Sequence, residues 1–430
     1  MAKTPPADSA AGMPRRRFLQ TAGAGMAALP MVGGRAFAGG SDKLKVGLIG
    51  CGSRGTGAAM DAIRADSGVV LWAMGDLFQD RLDSSYAGLS GNFAEQVDVP
   101  EERRFVGFDA YKDVIEACDV VLLTSTPVFR PQHLAAAAEA GCHVFAEKPV
   151  AVDAPGARSV LASAYKMKEK GLSLASGFCW RAAFGHRAIY DRILAGHIGH
   201  PLHVHATYLA GELWYKERKP EWTDMEYQLR NWYYYTPFSG DHLVEQAIHS
   251  VDKILWAKED SPPAYATAMG GRQVRTDPKY GNIYDHFGVL YDWADGTQGF
   301  LQTRQQNGCH GENLDRVVGE KGIAWIDGWA GRFVIEGEEP WQYDGPGNNM
   351  YQTEHDEFFA AIRSGNAMNQ GEEMVRTTVA ALMGRMSAYT GQRITYQQAF
   401  ESQEDLTPKE WAFGEGIQVE VAMPGRTKFL

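Results

Sequence analysis

The stretch Leu44-Lys45-Val46-Gly47-Leu48-Ile49-Gly50-Cys51-Gly52-Ser53-Arg54-Gly55 decides the fold of this chain. Its first six residues predict a buried strand, and Thr56 to Asp66 predicts a helix directly after the glycines. A strand, the spacing Gly-x-Gly-x-x-Gly and a helix, in this order, are typical of a dinucleotide-binding turn. The glycines allow a tight turn, close approach of a pyrophosphate and packing of the helix on the strand. The residues expected to contact the phosphates at the helix N-terminus are Gly50, Gly52, Ser53, Arg54 and Gly55.

A carboxylate at the end of the second predicted strand bears on the identity of the dinucleotide. Val69 to Met74 is the second apolar run, and Asp76 follows it, 21 residues after Gly55. That spacing suits a carboxylate that accepts hydrogen bonds from the adenosine ribose hydroxyls, which favours NAD over NADP. NADP stays open because an arginine such as Arg54 can hold a 2′-phosphate. The alternative is a structural turn with a surface aspartate.

Strand and helix signals alternate over residues 43–150. Asp119 to Thr124 and His143 to Phe145 predict strands, and Gln132 to Ala140 predicts a helix that stops at Gly141. Alternation of this kind predicts parallel βαβ units in a doubly wound sheet, with ligands at the carboxyl ends of the strands. We therefore expect a Rossmann domain at residues 43–150.

The pattern changes after residue 150. Ala154 to Lys170 predicts one long helix, and strand-like runs between Tyr265 and Ile335 predict an antiparallel sheet. Further predicted elements are a strand at His203 to Leu209 and helices at Asp241 to Trp256, 351–364 and 371–390. We expect an α+β substrate-binding domain at residues 151–400 and a C-terminal extension at 401–430.

The first 38 residues have the features of a targeting segment. They carry five basic residues against one acidic residue, and Pro14-Arg15-Arg16-Arg17-Phe18-Leu19-Gln20 precedes a mildly apolar run that ends at Ala36-Phe37-Ala38. Paired arginines before Phe-Leu, then an apolar run and a small-x-small cleavage pattern, resemble a twin-arginine signal peptide. This predicts export to the periplasm or outside the cell; the alternative is a disordered basic tail.

Composition narrows the classes of partner. The formal net charge is −11 although the leader is basic, so the remaining chain is acidic and repels nucleic acid and anionic lipid. No later stretch is long and apolar enough to predict a membrane helix. The five cysteines form no Cys-x-x-Cys pair, and their odd number argues against a disulfide framework.

Glu147-Lys148-Pro149 follows the predicted strand at 143–145 and should project from the carboxyl edge of the sheet. A lysine there can donate to a substrate hydroxyl and stabilise charge that develops on its oxygen. Glu147 can accept a hydrogen bond from the nicotinamide ribose. From residue types alone, a solvated Glu–Lys pair at a strand end is the better interpretation.

The predicted helix 241–256 places His242, Glu245, His249 and Asp252 near one face. A neutral histidine there can act as a general base towards a hydroxyl group. A buried polar network is the alternative. A metal site is disfavoured because the two histidines are seven residues apart, unlike the four-residue spacing of a helical zinc pair.

Several motifs together resemble the glucose–fructose oxidoreductase/inositol dehydrogenase (Gfo/Idh/MocA) family. They are Gly50–Gly55, the turn Thr126-Pro127 and Gly141-x-His143-Val144-x-x-Glu147-Lys148-Pro149, followed by the mixed second domain. The resemblance spans about residues 43 to 390. It implies an open, mostly antiparallel sheet in the second domain, oxidation or reduction at carbinol carbons of sugars or cyclitols, and a homo-oligomer.

The same resemblance implies roles for individual residues. Lys148 matches the family lysine, and His249 becomes the expected base. Members commonly have an aspartate four residues before that histidine, so Glu245, one methylene longer, is expected to orient His249 or to touch substrate. The expected substrate-pocket residues are Arg181, Tyr208 and His242, and Thr126 and Pro127 are expected to line the cofactor.

Aromatic residues crowd the segment 214–238, just before this helix. They include Trp214, Tyr215, Trp222, Tyr227, Trp232, Tyr233, Tyr234, Tyr235 and Phe238. Aromatic faces suit the C–H surfaces of a sugar, and packing of a long loop onto the domain is the alternative.

These observations predict an exported, NAD-dependent oxidoreductase that transfers hydride between nicotinamide and a carbinol carbon of a sugar, glycoside or cyclitol. Because the periplasm has no nicotinamide pool, we expect a tightly bound cofactor that is regenerated on the enzyme. One alternative is an NAD-dependent glycoside hydrolase, which would oxidise transiently, eliminate the aglycone, add water and return the hydride. Another is a sugar-binding protein with an inactive Rossmann domain.

Overall fold

The computed structural model describes residues 43–430, so the predicted signal peptide at 1–38 lies outside the described residues. The first of two sheets is parallel and has the strand order β3-β2-β1-β4-β5-β6. Its strands are β1 (Leu44–Ile49), β2 (Val69–Asp76), β3 (Arg104–Val106), β4 (Val120–Leu123), β5 (His143–Ala146) and β6 (Leu174–Ser176). The helices of this part are α1 (Ser53–Ala65), α2 (Gln79–Asn92), α3 (Ala110–Ala117), α4 (Arg130–Ala140) and α5 (Ala154–Glu169).

This sheet confirms the predicted doubly wound architecture. All four residues of β4 are fully buried, as expected for a central parallel strand covered by helices on both faces. Helix α4 ends where predicted, because Gly141 takes the left-handed conformation that closes a helix. The sixth strand, Leu174–Ser176, lies beyond the predicted domain boundary near residue 150.

The second sheet has nine strands in the order β14-β13-β12-β11-β7-β10-β9-β8-β15. Its strands are β7 (Pro201–Ala210), β8 (Tyr265–Gly271), β9 (His286–Asp292), β10 (Gln298–Gln305), β11 (Leu314–Gly319), β12 (Gly322–Asp327), β13 (Arg332–Gly337), β14 (Trp341–Gln342) and β15 (Ile394–Thr395). Only the β7–β10 pair is parallel, which confirms a mostly antiparallel second sheet.

The remaining helices are α6 (Phe184–Leu194), α7 (Asp224–Arg230), α8 (Thr236–Ser239), α9 (His242–Glu245), α10 (Ile248–Trp256), α11 (Met350–Ser364), α12 (Gly371–Thr390) and α13 (Tyr396–Glu401). Of these, α6, α10 and α12 pack on strands of the second sheet. Helix α12 packs on β8 of the second sheet and on β6 and α5 of the first domain, so this late helix joins the two sheets, whereas α11 packs on α1. Within residues 43–430, no helix is both long and apolar enough to cross a membrane.

The prediction of one helix from Asp241 to Trp256 is wrong. The helix breaks between α9 and α10, where the Ala247 N–H donates to the carbonyl of His242, five residues back. This widened turn inserts one residue into the helical spacing. His242 and His249 therefore do not share the face that an unbroken helix would give them.

Candidate functional site

A cavity of about 1090 Å³ lies at the carboxyl edge of the parallel sheet. Its lining comes from the turns after β1, β2, β3, β4 and β5 and from the α9–α10 region of the second domain. A cavity of this size, lined from two domains at the carboxyl edge of a doubly wound sheet, is where such folds bind ligands.

The glycine-rich turn forms a phosphate cradle at one wall of the cavity. Gly50 has a φ of +99°, and a Cβ at Gly55 would lie 1.9 Å from the Gly50 carbonyl oxygen, so neither position accepts a side chain. A Cβ at Gly52 would meet no atom within 4 Å, because this residue faces the open cavity. Helix α1 begins at Ser53 without a side-chain cap. Its first N–H groups therefore suit a pyrophosphate, as predicted for this turn.

Asp76 lies at the end of β2, lines the cavity and is nearly buried. Its Oδ2 accepts from the Cys51 N–H at 2.6 Å and its Oδ1 from the Phe78 N–H at 2.8 Å. Burial raises the pKa of this carboxyl even though Arg81 opposes the rise. Asp76 thus fixes the glycine turn to β2 and stands where the adenosine ribose is expected.

Two cations near Asp76 were missed by the sequence reasoning. Arg81 and Lys216 line the same cavity, and burial lowers the pKa of both. Arg81 lies five residues after Asp76, in the first turn of α2, so its spacing could have indicated a contact with the adenosine end. Cations at this position suit a 2′-phosphate, so this end of the cavity is compatible with NADP as well as with NAD.

Arg54 does not occupy the 2′-phosphate position considered for it. Its guanidinium turns towards β5, where it pairs with Glu147 and, at 3.0 Å, with Glu354, and it lies 4.9 Å from the ring centre of Tyr351. Burial opposes ionisation of Glu147, but the charges of Arg54, Lys148 and Arg130 together outweigh burial and hold the pKa of Glu147 below its usual value. Burial and the charge of Glu147 raise the pKa of Glu354 well above the usual value. The two carboxyl groups that contact this arginine therefore have pKa values shifted in opposite directions.

The predicted turn Thr126-Pro127 is split between the cavity and the interior. Thr126 lines the cavity, whereas Pro127 is buried behind it. Just before this turn, the Thr124 hydroxyl donates to the Gly50 carbonyl at 2.7 Å. This hydrogen bond thus fixes the glycine-rich turn to the end of β4.

Lys148, Glu245 and His249 meet at the far side of the cavity, at the end of β5. The Lys148 Nζ donates to the backbone carbonyl of Glu245 at 2.5 Å and to its Oε1 at 3.1 Å. Burial, followed by the charges of Lys148, Lys253 and Arg54, lowers the pKa of His249 well below the usual histidine value. The imidazole is therefore neutral near pH 7 and able to accept a proton.

Glu245 does not orient His249 in this structure. Its carboxylate contacts Lys148, and the Nδ1 of His249 finds no hydrogen-bond partner among residues 43–430. The ring of His249 is instead held edge-on to Phe178, with centres 6.2 Å apart. Packing and the start of α10 set the position of the imidazole.

Two of the three predicted substrate residues are structural, and neither lines the cavity that residues 43–430 form. Arg181 forms ion pairs with Asp252 and Asp260, and Asp252 is wholly buried. His242 is fully buried, and its Nδ1 lies 3.1 Å from the carbonyl of Tyr284. These contacts stabilise the second domain. The prediction that Arg181 and His242 line the substrate pocket is therefore wrong for this cavity.

Tyr208, the third, lies beside the site without lining the cavity formed by the described chain. Its ring packs edge-on against Trp329, with centres 6.2 Å apart. Burial, aided by the charge of Glu245, raises the pKa of Tyr208 to about 12. Its phenol is therefore neutral and close enough to Glu245 to sense its charge.

The aromatic segment 214–238 divides between the site and the core. Trp214 and Trp232 line the cavity, with ring centres 6.2 Å apart. The fully or nearly buried members are Tyr233, Tyr234, Tyr235 and Phe238. Tyr351, on α11, also lines the cavity, and no sequence signal pointed to it.

Over residues 43–430, no group of three or more His, Cys, Asp or Glu side chains is placed to hold a metal ion.

Two family models match this chain. The oxidoreductase family with an NAD-binding Rossmann fold matches residues 44–176, and the Gfo/Idh/MocA C-terminal domain matches residues 186–325. The chain belongs to the Gfo/Idh/MocA family. This confirms the resemblance seen in the motifs and makes the chain an oxidoreductase with an NAD-binding domain.

Similar proteins agree with this membership. A 1,5-anhydro-D-fructose reductase from Ensifer adhaerens is 28% identical over 64% of this chain and 78% of its own length. An inositol 2-dehydrogenase from Cereibacter sphaeroides is 27% identical over 65% of this chain and 73% of its own length. The structure of an oxidoreductase from Agrobacterium radiobacter in complex with NAD⁺ shares the fold, with a TM-score of 0.63 and 18% identity over 83% of this chain and 99% of that one.

Proposed function

We propose that this protein transfers hydride between a nicotinamide cofactor and a carbinol carbon of a sugar, glycoside or cyclitol. The meeting of Lys148, Glu245 and a neutral His249 in the dinucleotide cavity carries the proposal. NAD supplies the hydride acceptor when it is bound, and the cradle at Gly50–Gly55 would hold its pyrophosphate.

The chain's own side chains divide the remaining chemistry. His249 takes the proton of the substrate hydroxyl, because burial keeps the imidazole neutral and the residue lines the cavity. Lys148 faces the same space and stabilises negative charge on the substrate oxygen. Glu245 fixes the ammonium group of Lys148 through both its carbonyl and its carboxylate. Glu147, held by Arg54, is placed to accept from the nicotinamide ribose.

A polyhydroxylated, uncharged ring is the substrate class that fits the site. Trp214 and Trp232 offer aromatic surface in the same cavity as the polar groups, which suits the apolar C–H faces of a sugar. The relatives at 27–28% identity are named as acting on inositol and on 1,5-anhydro-D-fructose. Aromatic surface beside hydrogen-bonding groups supports the same class here.

The first 38 residues support a proposal on location. Their arginine pair, apolar run and small-x-small pattern suit export through the twin-arginine route, which carries folded proteins. A periplasmic or secreted enzyme would need to keep its NAD tightly bound and regenerate it in each cycle. Replacing Arg15 and Arg16 by lysine should retain the protein in the cytoplasm; unchanged export would refute this route.

The open face of the second sheet supports a homo-oligomer. Its apolar side chains include Met269 on β8, which is 79% exposed, and the partly exposed Leu290, Phe300 and Trp325 on β9, β10 and β12. A flat apolar face of this kind favours pairing with a second copy. Light scattering of the wild type and of Met269→Asp should show a larger species in the first only, and a monomeric wild type would refute the pairing.

One set of assays tests the reaction itself. Protein purified from its native compartment should show nicotinamide absorbance, and suitable sugars should change the ratio of oxidised to reduced cofactor. Nitrophenyl glycosides offered without added cofactor separate the alternatives: aglycone release would instead indicate the hydrolase that uses transient oxidation. Absence of bound nicotinamide together with inactivity when NAD is supplied would refute both.

A further inference from the structure

The chain continues after α13 as an extended segment without helix or strand, residues 402–430. Its part from 403 to 425 is here named the C-terminal strap. It lies beyond both family-model matches, which end at residue 325. Its contacts nevertheless involve both domains.

The strap is first fixed near the Rossmann domain. Glu404 pairs with the fully buried Arg385 of α12, and the Leu406 N–H donates to the Oδ2 of Asp153 at 2.8 Å. Asp153 also caps α5, since its Oδ1 accepts from the Gly156 N–H. The strap therefore starts from a rigid point.

Two aromatic side chains of the strap then pack behind one wall of the cavity. The ring of Trp411 lies 4.4 Å from that of Phe129 and 5.8 Å from that of Phe108. The ring of Phe413 lies 5.1 Å from Phe108 and 5.9 Å from Phe78. The three phenylalanines line the cavity from the turns after β2, β3 and β4, so the strap supports the side chains that face the ligand.

Beyond these rings the strap is fixed to the second domain. The Gly414 carbonyl accepts from the Met225 N–H at 3.1 Å, and Ile417 exchanges two hydrogen bonds with the side chain of Gln228 at 2.8 and 3.0 Å. Further along, the Tyr284 hydroxyl donates to the carbonyl of Ala422 at 2.8 Å. One continuous segment thus joins both domains across the same side of the cavity.

That side is the adenosine end. The sheet order β3-β2-β1-β4-β5 places the ends of β2 and β3, with Asp76, Phe78 and Phe108, on one side of the glycine turn. Lys148, at the end of β5, lies on the other side. Phe413 contacts Phe78 and Phe108 on the first side, whereas Trp411 extends from Phe108 to Phe129, which follows β4 on the other side of the glycine turn. Neither ring lines the cavity that the described residues form.

We propose that the C-terminal strap is a latch between the domains that keeps the adenosine end of the cavity closed and slows exchange of the cofactor. Opening this end requires the domains to separate or the three phenylalanines to move, and the strap opposes both movements. The inference rests on the proposed function, because it assigns the strap to retention of the nicotinamide dinucleotide.

The test compares Trp411→Ala/Phe413→Ala with the wild type in the full-length mature protein. The matched control is Tyr165→Ala, which removes a half-exposed ring from α5. Protein loaded with NADH is mixed with excess NAD⁺, and the loss of bound NADH fluorescence gives the exchange rate. We expect exchange at least about tenfold faster in the double variant, because it loses four aromatic ring pairs, two from each side chain, and we expect no change in the control.

Turnover with saturating NAD⁺ should stay near the wild-type value, because neither ring touches Lys148 or His249. Phe413→Ala alone, which removes a partly exposed ring, provides a milder variant if the double variant folds poorly. A folded variant with wild-type turnover and unchanged NADH exchange would overturn the latch. A wild type that binds no NADH would refute the proposed function instead.

Discussion

Arg54 offers the sharpest test of the electrostatics of the site. Its guanidinium is one-third exposed, whereas its partners Glu147 and Glu354 are 5% and 8% exposed. Arg54→Met keeps the length of the side chain and removes its charge. Removing one partner of a buried pair typically costs about 3–5 kcal/mol, and the partial exposure of Arg54 reduces this to about 2 kcal/mol.

The loss of stability should depend on pH. In the folded wild type the pKa of Glu147 lies below the pKa that this residue has in the unfolded chain. Ionised Glu147 therefore stabilises the folded state at pH values above the unfolded pKa, and this stabilisation is lost as the pH falls through the folded pKa. Without Arg54, burial raises the pKa of this carboxyl above the unfolded value, although Lys148 and Arg130 still lower it. The variant therefore loses stability as the pH rises, and the difference in free energy of unfolding between the variant and the wild type increases from pH 4 to pH 8.

Thermal unfolding at these two pH values measures the effect. We expect a melting temperature lower by roughly 4 °C at pH 8 and a smaller decrease at pH 4. The control is Arg64→Met, the same change in the same helix, at a side chain that is 54% exposed, pairs with Asp61 at 3.7 Å and lies 5.2 Å from the ring centre of Phe93. Its expected cost is below about 0.5 kcal/mol.

Cofactor affinity provides a second readout. Because Arg54 positions Glu147, the variant should show a higher KM for NAD. Arg54→Lys should restore part of the lost affinity. Equal melting temperatures and KM values for Arg54→Met and Arg64→Met would refute the reasoning, as would a stability gap that does not change with pH.

Three further results are expected at the site. Lys148→Met should lower kcat at least about 100-fold while NAD binding persists, and Lys166→Met, on the exposed face of α5, should leave both unchanged. His249→Gln should lower kcat by about 10²–10⁴-fold. The wild type should keep its alcohol-oxidising activity below pH 6.5, because the lowered pKa of His249 keeps the imidazole neutral in more acidic solution. A loss of wild-type activity that begins above pH 6.5 as the pH falls would contradict this assignment. Trp214→Ala should raise the KM for the sugar several-fold with little change in kcat, and an unchanged KM would remove Trp214 from the substrate surface.

The sequence predicted those features that depend on local pattern. The strand at Leu44–Ile49 has the predicted bounds, and the turn at Gly50–Gly55 lies against the cavity because its spacing determines its shape. Lys148 reaches the cavity because it follows a parallel strand.

Features that depend on contacts distant in sequence could not be predicted. Arg54 meets Glu354, 300 residues away, and no local pattern links them. Trp411 reaches Phe129 through an extended segment without periodicity. The break near Ala247 was missed because an apolar pattern does not reveal a hydrogen bond to the fifth residue back.

That break also determines the electrostatic setting of His249. Because α10 begins anew at Ile248, His249 lies in the first turn of a nine-residue helix. The aligned peptide dipoles give this end a partial positive charge, which disfavours a protonated imidazole and favours negative charge nearby. In an unbroken helix the same residue would lie two turns inside, away from this end. The widened turn thus supplies an oriented backbone dipole at the position proposed for the substrate oxygen.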